Sequence, residues 1–181
     1  PFSDIEIMEW DGFVPDLTDK GYVAQMQARM QDRLNYVEGL KDAEGGFNAL
    51  PDDAADAIRK ACEHGQVSEA VIVGGGFIGL EAAVALSDMW GVKVSGVEMM
   101  DQMLPGVLSH NMGKMAAHDC EAHGLSVYTA EKVVRLEGED GAVCKVITDK
   151  RELPAQLVIF AAGFLPNGQL ARDAGLEVAP F

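Results

Sequence analysis

The most constraining feature of the chain is a glycine-rich turn that separates a short apolar run from a helical pattern. The turn contains Gly74, Gly76 and Gly79 in the spacing Gly-x-Gly-x-x-Gly. Glycines in this spacing let a backbone pass sharply from a strand into a helix and approach a diphosphate group closely. The pattern predicts a strand over 70–74 and a helix over 77–90, the first half of a parallel α/β unit.

A second apolar run, over residues 92–98, ends at an acid. Glu98 lies 19 residues beyond Gly79, close to the separation of about 20 residues at which a carboxylate binds the adenosine ribose hydroxyls. Residues 99–103 contain no Lys or Arg, so a 2′-phosphate would meet Glu98 and Asp101 without a compensating cation. The sequence therefore predicts a site for NAD(H) rather than NADP(H).

Each position of the turn has a predicted role. Gly74 makes the strand-to-helix turn, Gly76 leaves room for a pyrophosphate, and Gly79 lets the helix approach the strand. The backbone N–H groups near Gly76, Phe77 and Ile78 lack partners at the start of a helix and can donate to phosphate oxygens.

Three further residues extend the candidate site toward the nicotinamide half of a dinucleotide. Glu81 lies in the first turn of a helix that should hold an anion, so it is costly there unless it faces the nicotinamide ribose or carboxamide. Phe77 either packs in the core or flanks the nicotinamide ring. Gly163 follows a predicted strand at the sheet edge where ligands bind in open α/β folds. The candidate cofactor-binding residues are Gly74, Gly75, Gly76, Phe77, Ile78, Gly79, Glu81, Glu98 and Gly163.

The charge and hydropathy of the chain disfavour several classes of partner. The 181 residues include 29 acidic and 14 basic side chains, a net charge of −15. This field repels polyanions, so nucleic acid is not an expected partner. No apolar stretch approaches the roughly 20 residues of a membrane-spanning helix, and no signal peptide opens the sequence. We therefore expect a cytoplasmic protein without a membrane partner.

A cluster of possible metal ligands does not predict a metal site. His110, His118, Cys120 and His123 lie close in sequence, but only Cys120 and His123 share a helix face. Two ligands do not make a closed zinc site, and no metal is expected. The three cysteines, odd in number and without a Cys-x-x-Cys pair, are typical of a reducing compartment.

The chain divides into an extension and a nucleotide-binding domain. Apolar residues recur at helical spacing over 23–37, and residues 41–46 are typical of a linker. We predict an N-terminal extension with an amphipathic helix over 1–44 and an NAD(H)-binding domain over 45–181. Further helices are expected over 52–64 and 109–124, and a further strand over 125–129.

The pattern changes from α/β to antiparallel β after the third predicted strand. Residues 133–136 and 143–147 flank a hairpin turn at 138–141, and a short piece at 151–153 leads into a strand over 156–162. The expected fold class is α/β, a Rossmann-like parallel sheet with helices and a three-stranded antiparallel β-meander as a crossover.

Taken together, these segments resemble the NAD(P)H-binding domain of FAD-dependent pyridine nucleotide–disulfide oxidoreductases. The resemblance runs from about Val37 to the end of the chain and rests on residues 73–81, on Glu98 with 101–105, and on 162–167. The pattern is most similar to that of coenzyme A-disulfide reductases and of NADH oxidases or peroxidases, and ferredoxin-reductase-like flavoproteins also share much of it.

The resemblance implies roles that the spacing alone does not. Phe77 matches the aromatic position that covers the flavin until nicotinamide displaces it. Glu81 matches an acid near the nicotinamide, and Gly163 matches a loop glycine beside the nicotinamide ribose and the flavin. The resemblance implies that FAD, a redox cysteine and a homodimer interface belong to a larger parent flavoenzyme. The 181 residues alone are then expected to bind NADH and to transfer no hydride.

Two other functions fit part of the pattern. A stand-alone NAD-sensing or regulatory module would use the same turn, with residues 1–44 docking a partner. Methyltransferase folds also combine a glycine loop with an acid after the second strand. The antiparallel insert and the loop at 162–167 favour the oxidoreductase domain.

Overall fold

The computed structural model describes residues 54–163 and 168–178, which fall in two compact units. The predicted extension over 1–44 and its boundary with the following domain lie outside the described residues.

The second unit contributes helix α4 (Gln169–Asp173). The first unit contains, in chain order, α1 (Ala54–Glu63), β1 (Glu69–Val73), α2 (Phe77–Trp90), β2 (Lys93–Val97), α3 (His110–Ala122), β3 (Ser126–Tyr128), β4 (Val133–Glu139), β5 (Ala142–Thr148), β6 (Glu152–Pro154) and β7 (Leu157–Phe160).

The main sheet of the first unit is parallel and has the strand order β3-β2-β1-β7. Val73, the last residue of β1, lies opposite Val97 of β2 and Phe160 of β7. Because parallel strands end at the same edge of a sheet, the turn after β1, Glu98 and the segment after β7 come together there.

Strand β1 is apolar from Ala70 to Val73 because both faces of the parallel sheet are covered there. Ile72 packs on one face with Ala83 and Leu86 of α2. Val71 packs on the opposite face with Val146 of the antiparallel sheet β4-β5-β6. The meander therefore forms a third layer beneath the sheet.

The predicted fold class, an α/β Rossmann-like sheet with a three-stranded meander, is confirmed. The strands of the hairpin are longer than predicted, since the turn contracts to Asp140 and Gly141. Both residues have positive φ values, 52° and 78°, as a two-residue turn between twisted strands requires. Among the described helices, none is long and apolar enough to span a membrane.

The packing of the meander on the sheet makes a testable contribution to stability. Val146 is 0% exposed, and Val146→Ala should lower the free energy of unfolding by about 2 kcal/mol, because buried methyl groups are lost and a cavity remains. Val134→Ala is the matched control, since Val134 is 50% exposed. Urea denaturation of both variants checks this expectation, and equal losses would contradict it.

Candidate functional site

A cavity of about 190 Å³ opens at the carboxyl edge of the parallel sheet. Its walls come from the ends of β1, β2 and β7, from the loop after β2 and from the start of β4. Six of the nine residues predicted from sequence line it: Gly74, Gly76, Phe77, Ile78, Glu98 and Gly163. The structure thus brings residues that are distant in sequence, from Gly74 to Gly163, to one concave surface.

The three glycines of the turn have different surroundings. A Cβ on Gly74, whose φ is 117°, would collide with the carbonyl oxygen of Ala161, and one on Gly79 would collide with that of Gly74. Gly76 has an extended backbone with φ −83° and ψ −177°, and a Cβ there would meet nothing within 4 Å. Gly74 and Gly79 are therefore required for packing, whereas Gly76 faces open space.

The start of α2 presents unpaired amides to this open space. The first N–H···O bond of the helix runs from the Leu80 N–H to the Gly76 carbonyl at 3.0 Å. The N–H groups of Phe77 and Ile78 consequently have no acceptor within the helix. They lie at the positive end of the helix dipole, which attracts anions.

Glu98 is buried and braces the turn. Its side-chain Oε2 accepts the Gly75 N–H at 2.6 Å, and its Oε1 accepts the Met100 N–H at 2.8 Å. Only 5% of Glu98 is exposed. Since each carboxylate oxygen has two lone pairs, both oxygens can still accept a ligand hydroxyl. The bracing role was not visible from sequence, because Gly75 and Glu98 meet only when β1 and β2 pair.

The loop after β2 is fastened to the same turn. The Leu104 N–H donates to the Gly75 carbonyl at 2.7 Å, and the Gln102 side-chain amide donates to the Leu108 carbonyl at 3.0 Å. Leu104 adopts a positive φ of 52°, which costs energy for a branched side chain. These contacts hold Pro105 at the cavity wall.

A second buried acid at the cavity, Glu131, was missed in the sequence analysis. Its Oε1 accepts hydrogen bonds from the Thr148 hydroxyl at 2.6 Å and from the Arg151 Nε at 2.9 Å. The Arg151 guanidinium lies over the Tyr128 ring, 4.0 Å from its centroid. Glu131 lies before β4 begins at Val133, so the alternation of that strand did not mark it as inward-facing.

The other three predicted residues, Gly75, Gly79 and Glu81, do not line the cavity. Glu81 is exposed on α2 and does not line the cavity. Gly75 and Gly79 act through packing beneath the turn.

The sequence cluster of His110, His118, Cys120 and His123 does not form a group of metal ligands in the described part of the chain. Cys120 is buried in the core, and burial raises the pKa of its thiol. Within the described part of the chain, no three His, Cys, Asp or Glu side chains are placed to hold a metal ion.

The fold and its cavity define a Rossmann-like α/β domain with a glycine turn at the ligand edge. Residues 29–180 match the family described as pyridine nucleotide-disulphide oxidoreductase, and the chain belongs to that family. The family is FAD-dependent and uses NAD(P)H, so the resemblance found in the sequence is confirmed.

Individual relatives agree with the family match. The chain is 38% identical over 143 residues to a CoA-dependent NAD(P)H sulfur oxidoreductase of Pyrococcus abyssi, covering 78% of the chain and 31% of the relative. It is 35% identical over 147 residues to an NADH oxidase of Streptococcus pneumoniae, covering 81% of the chain and 29% of the relative. A solved FAD-dependent pyridine nucleotide-disulphide oxidoreductase from Desulfovibrio vulgaris is 57% identical, with a TM-score of 0.58, and the match covers 69% of the chain and 32% of that structure. The chain thus spans about a third of the length of these relatives.

Proposed function

We propose that this chain is the NADH-binding domain of a FAD-dependent oxidoreductase and that NADH binds in the cavity at the sheet edge. The observation that carries the proposal is the open space at Gly76, next to the unpaired amides that begin α2. A pyrophosphate fits there because the helix dipole and the amides favour negative charge, and no side chain fills the space.

The polar groups at the cavity favour NADH over NADPH. Glu98 is positioned at the end of β2 to accept hydrogen bonds from the adenosine ribose hydroxyls. Glu98 and Glu131 both line the cavity, and no Lys or Arg is found among the described residues that line it. A 2′-phosphate would therefore face two carboxylates, and Arg151, the cation beside Glu131, is already paired with that carboxylate.

The nicotinamide half is proposed to extend toward the end of β7. Gly163, with φ 127°, leaves the backbone close to the cavity without a side chain. Phe77, 58% exposed at the start of α2, would cover the ring side of the cavity and exclude water. Glu81, also exposed, is proposed to contact the nicotinamide ribose or carboxamide.

Bound NADH supplies a hydride, and the proposed role of this chain's residues is to bind and orient the NADH molecule. FAD is proposed to be held by other regions of the parent protein, with a second parent subunit as a further partner. The relatives include an NADH oxidase and a sulfur oxidoreductase, so the final electron acceptor depends on those regions.

The proposal predicts how the 181-residue chain responds to nucleotides. Isothermal titration calorimetry should detect one NADH site per chain and an affinity for NADPH at least about tenfold lower, equivalent to about 1.4 kcal/mol. NADH with dichlorophenol-indophenol should give no turnover above background, because FAD is proposed to be held by other regions of the parent protein. An absence of heat on addition of NADH would overturn the proposed function.

A further inference from the structure

The Glu131 carboxylate has one oxygen that its protein contacts do not use. The hydrogen bonds from Thr148 and Arg151 both end on Oε1. The Glu131 side chain is 1% exposed, and it lines the cavity. Every fully enclosed side-chain nitrogen or oxygen among the described residues has a partner. Oε2, which has no partner in that part of the chain, is therefore reached from the cavity.

We infer that Glu131 Oε2 accepts a hydrogen bond from a donor on the adenosine half of the bound dinucleotide, either the adenine amino group or a ribose hydroxyl. The inference rests on the proposed function. The Glu131 N–H donates to the Glu98 carbonyl at 3.1 Å, so Glu131 lies beside the acid proposed to bind the ribose. Val107 and Val133 line the same cavity and offer the apolar walls that a purine ring needs.

The contacts on Oε1 prepare Oε2 for this role. Arg151 and Thr148 fix the orientation of the carboxylate before a ligand arrives, which reduces the ordering cost of binding. Hydrogen bonds to an ionised acceptor are about twice as strong as bonds between neutral groups. A buried, prepositioned carboxylate is therefore an effective acceptor for a single amino or hydroxyl donor.

The variant Glu131→Gln separates this role from a structural one. The glutamine Oε1 can keep the hydrogen bonds from Thr148 and Arg151, while its amide nitrogen presents a donor where the ligand needs an acceptor. We expect an affinity for NADH at least about tenfold lower, measured by calorimetry. Glu137→Gln is the matched control, because it removes the same charge from β4 at a partly exposed position outside the cavity.

A second ligand identifies the donor. Reduced nicotinamide hypoxanthine dinucleotide lacks the adenine amino group. If the loss caused by Glu131→Gln disappears with this analogue, the amino group is the donor. If the loss persists, a ribose hydroxyl is the donor. Either result supports the inference.

Equal NADH affinities of Glu131→Gln and Glu137→Gln would overturn the inference and leave the proposed function standing. Wild-type protein that fails to bind NADH would overturn both. Circular dichroism reports whether each variant is folded. If Glu131→Gln does not fold, Glu131→Asp is the variant that tests the inference. It keeps the negative charge but shortens the side chain by one methylene, which moves the carboxylate away from the ligand. NADH affinity of Glu131→Asp equal to that of the wild type would then overturn the inference.

Discussion

Gly76→Val is expected to abolish NADH binding while the fold remains intact. The extended backbone of Gly76, with φ −83° and ψ −177°, is one that valine adopts without strain. Its Cβ meets nothing within 4 Å in the protein and would instead occupy the space proposed for the pyrophosphate. We expect the NADH affinity to fall at least about 100-fold, equivalent to about 2.7 kcal/mol, as measured by calorimetry.

The neighbouring glycine supplies the contrast for this experiment. Gly79→Ala places a Cβ against the Gly74 carbonyl oxygen, so it should lower the free energy of unfolding strongly. Gly76→Val should change the free energy of unfolding by no more than about 1 kcal/mol, the usual range for an exposed helix start. A folded Gly76→Val variant that binds NADH as tightly as the wild type would contradict the placement of the pyrophosphate.

Glu98→Gln is expected to affect stability and binding together. The Glu98 carboxylate accepts two backbone N–H groups at 2.6 and 2.8 Å, and an amide nitrogen would oppose one of them. Hydrogen bonds to charged groups contribute about 1.5–3 kcal/mol, so the free energy of unfolding should fall by about 2–3 kcal/mol. NADH affinity should fall at least about tenfold under conditions where the variant is folded.

Urea denaturation and calorimetry check these two effects. Glu121→Gln is the control, since Glu121 is exposed on α3 and loses the same charge. A Glu98→Gln variant as stable as Glu121→Gln would show that the carboxylate does not brace the turn.

The helices and strands of the domain were predictable because their signals are local. The apolar run of β1 is continuous because the helices cover one face and the meander covers the other. The glycine spacing marked the start of α2 correctly at Phe77, since turn geometry depends on neighbouring residues. The fold class therefore followed from short segments taken one at a time.

The parts of the site that were missed depend on contacts between distant segments. Glu131, just before β4, is held at the cavity by Thr148 at the end of β5 and by Arg151 in the β5–β6 turn. The position of Glu81 depends on how α2 is rotated over the sheet, and Glu81 is exposed there without lining the cavity. Spacing along a sequence does not encode either rotation or such long-range pairing.

The central position of β1 has a consequence for synthesis on the ribosome. Its neighbour on one side, β2, follows within the next turn and helix, but its neighbour on the other side, β7, is made only after α3 and the entire meander. A nascent chain that has not yet reached Leu157 has the glycine turn and Glu98 but lacks the wall formed by Ala161 and Gly163. The proposed coenzyme site is therefore completed only after the whole meander has been synthesised.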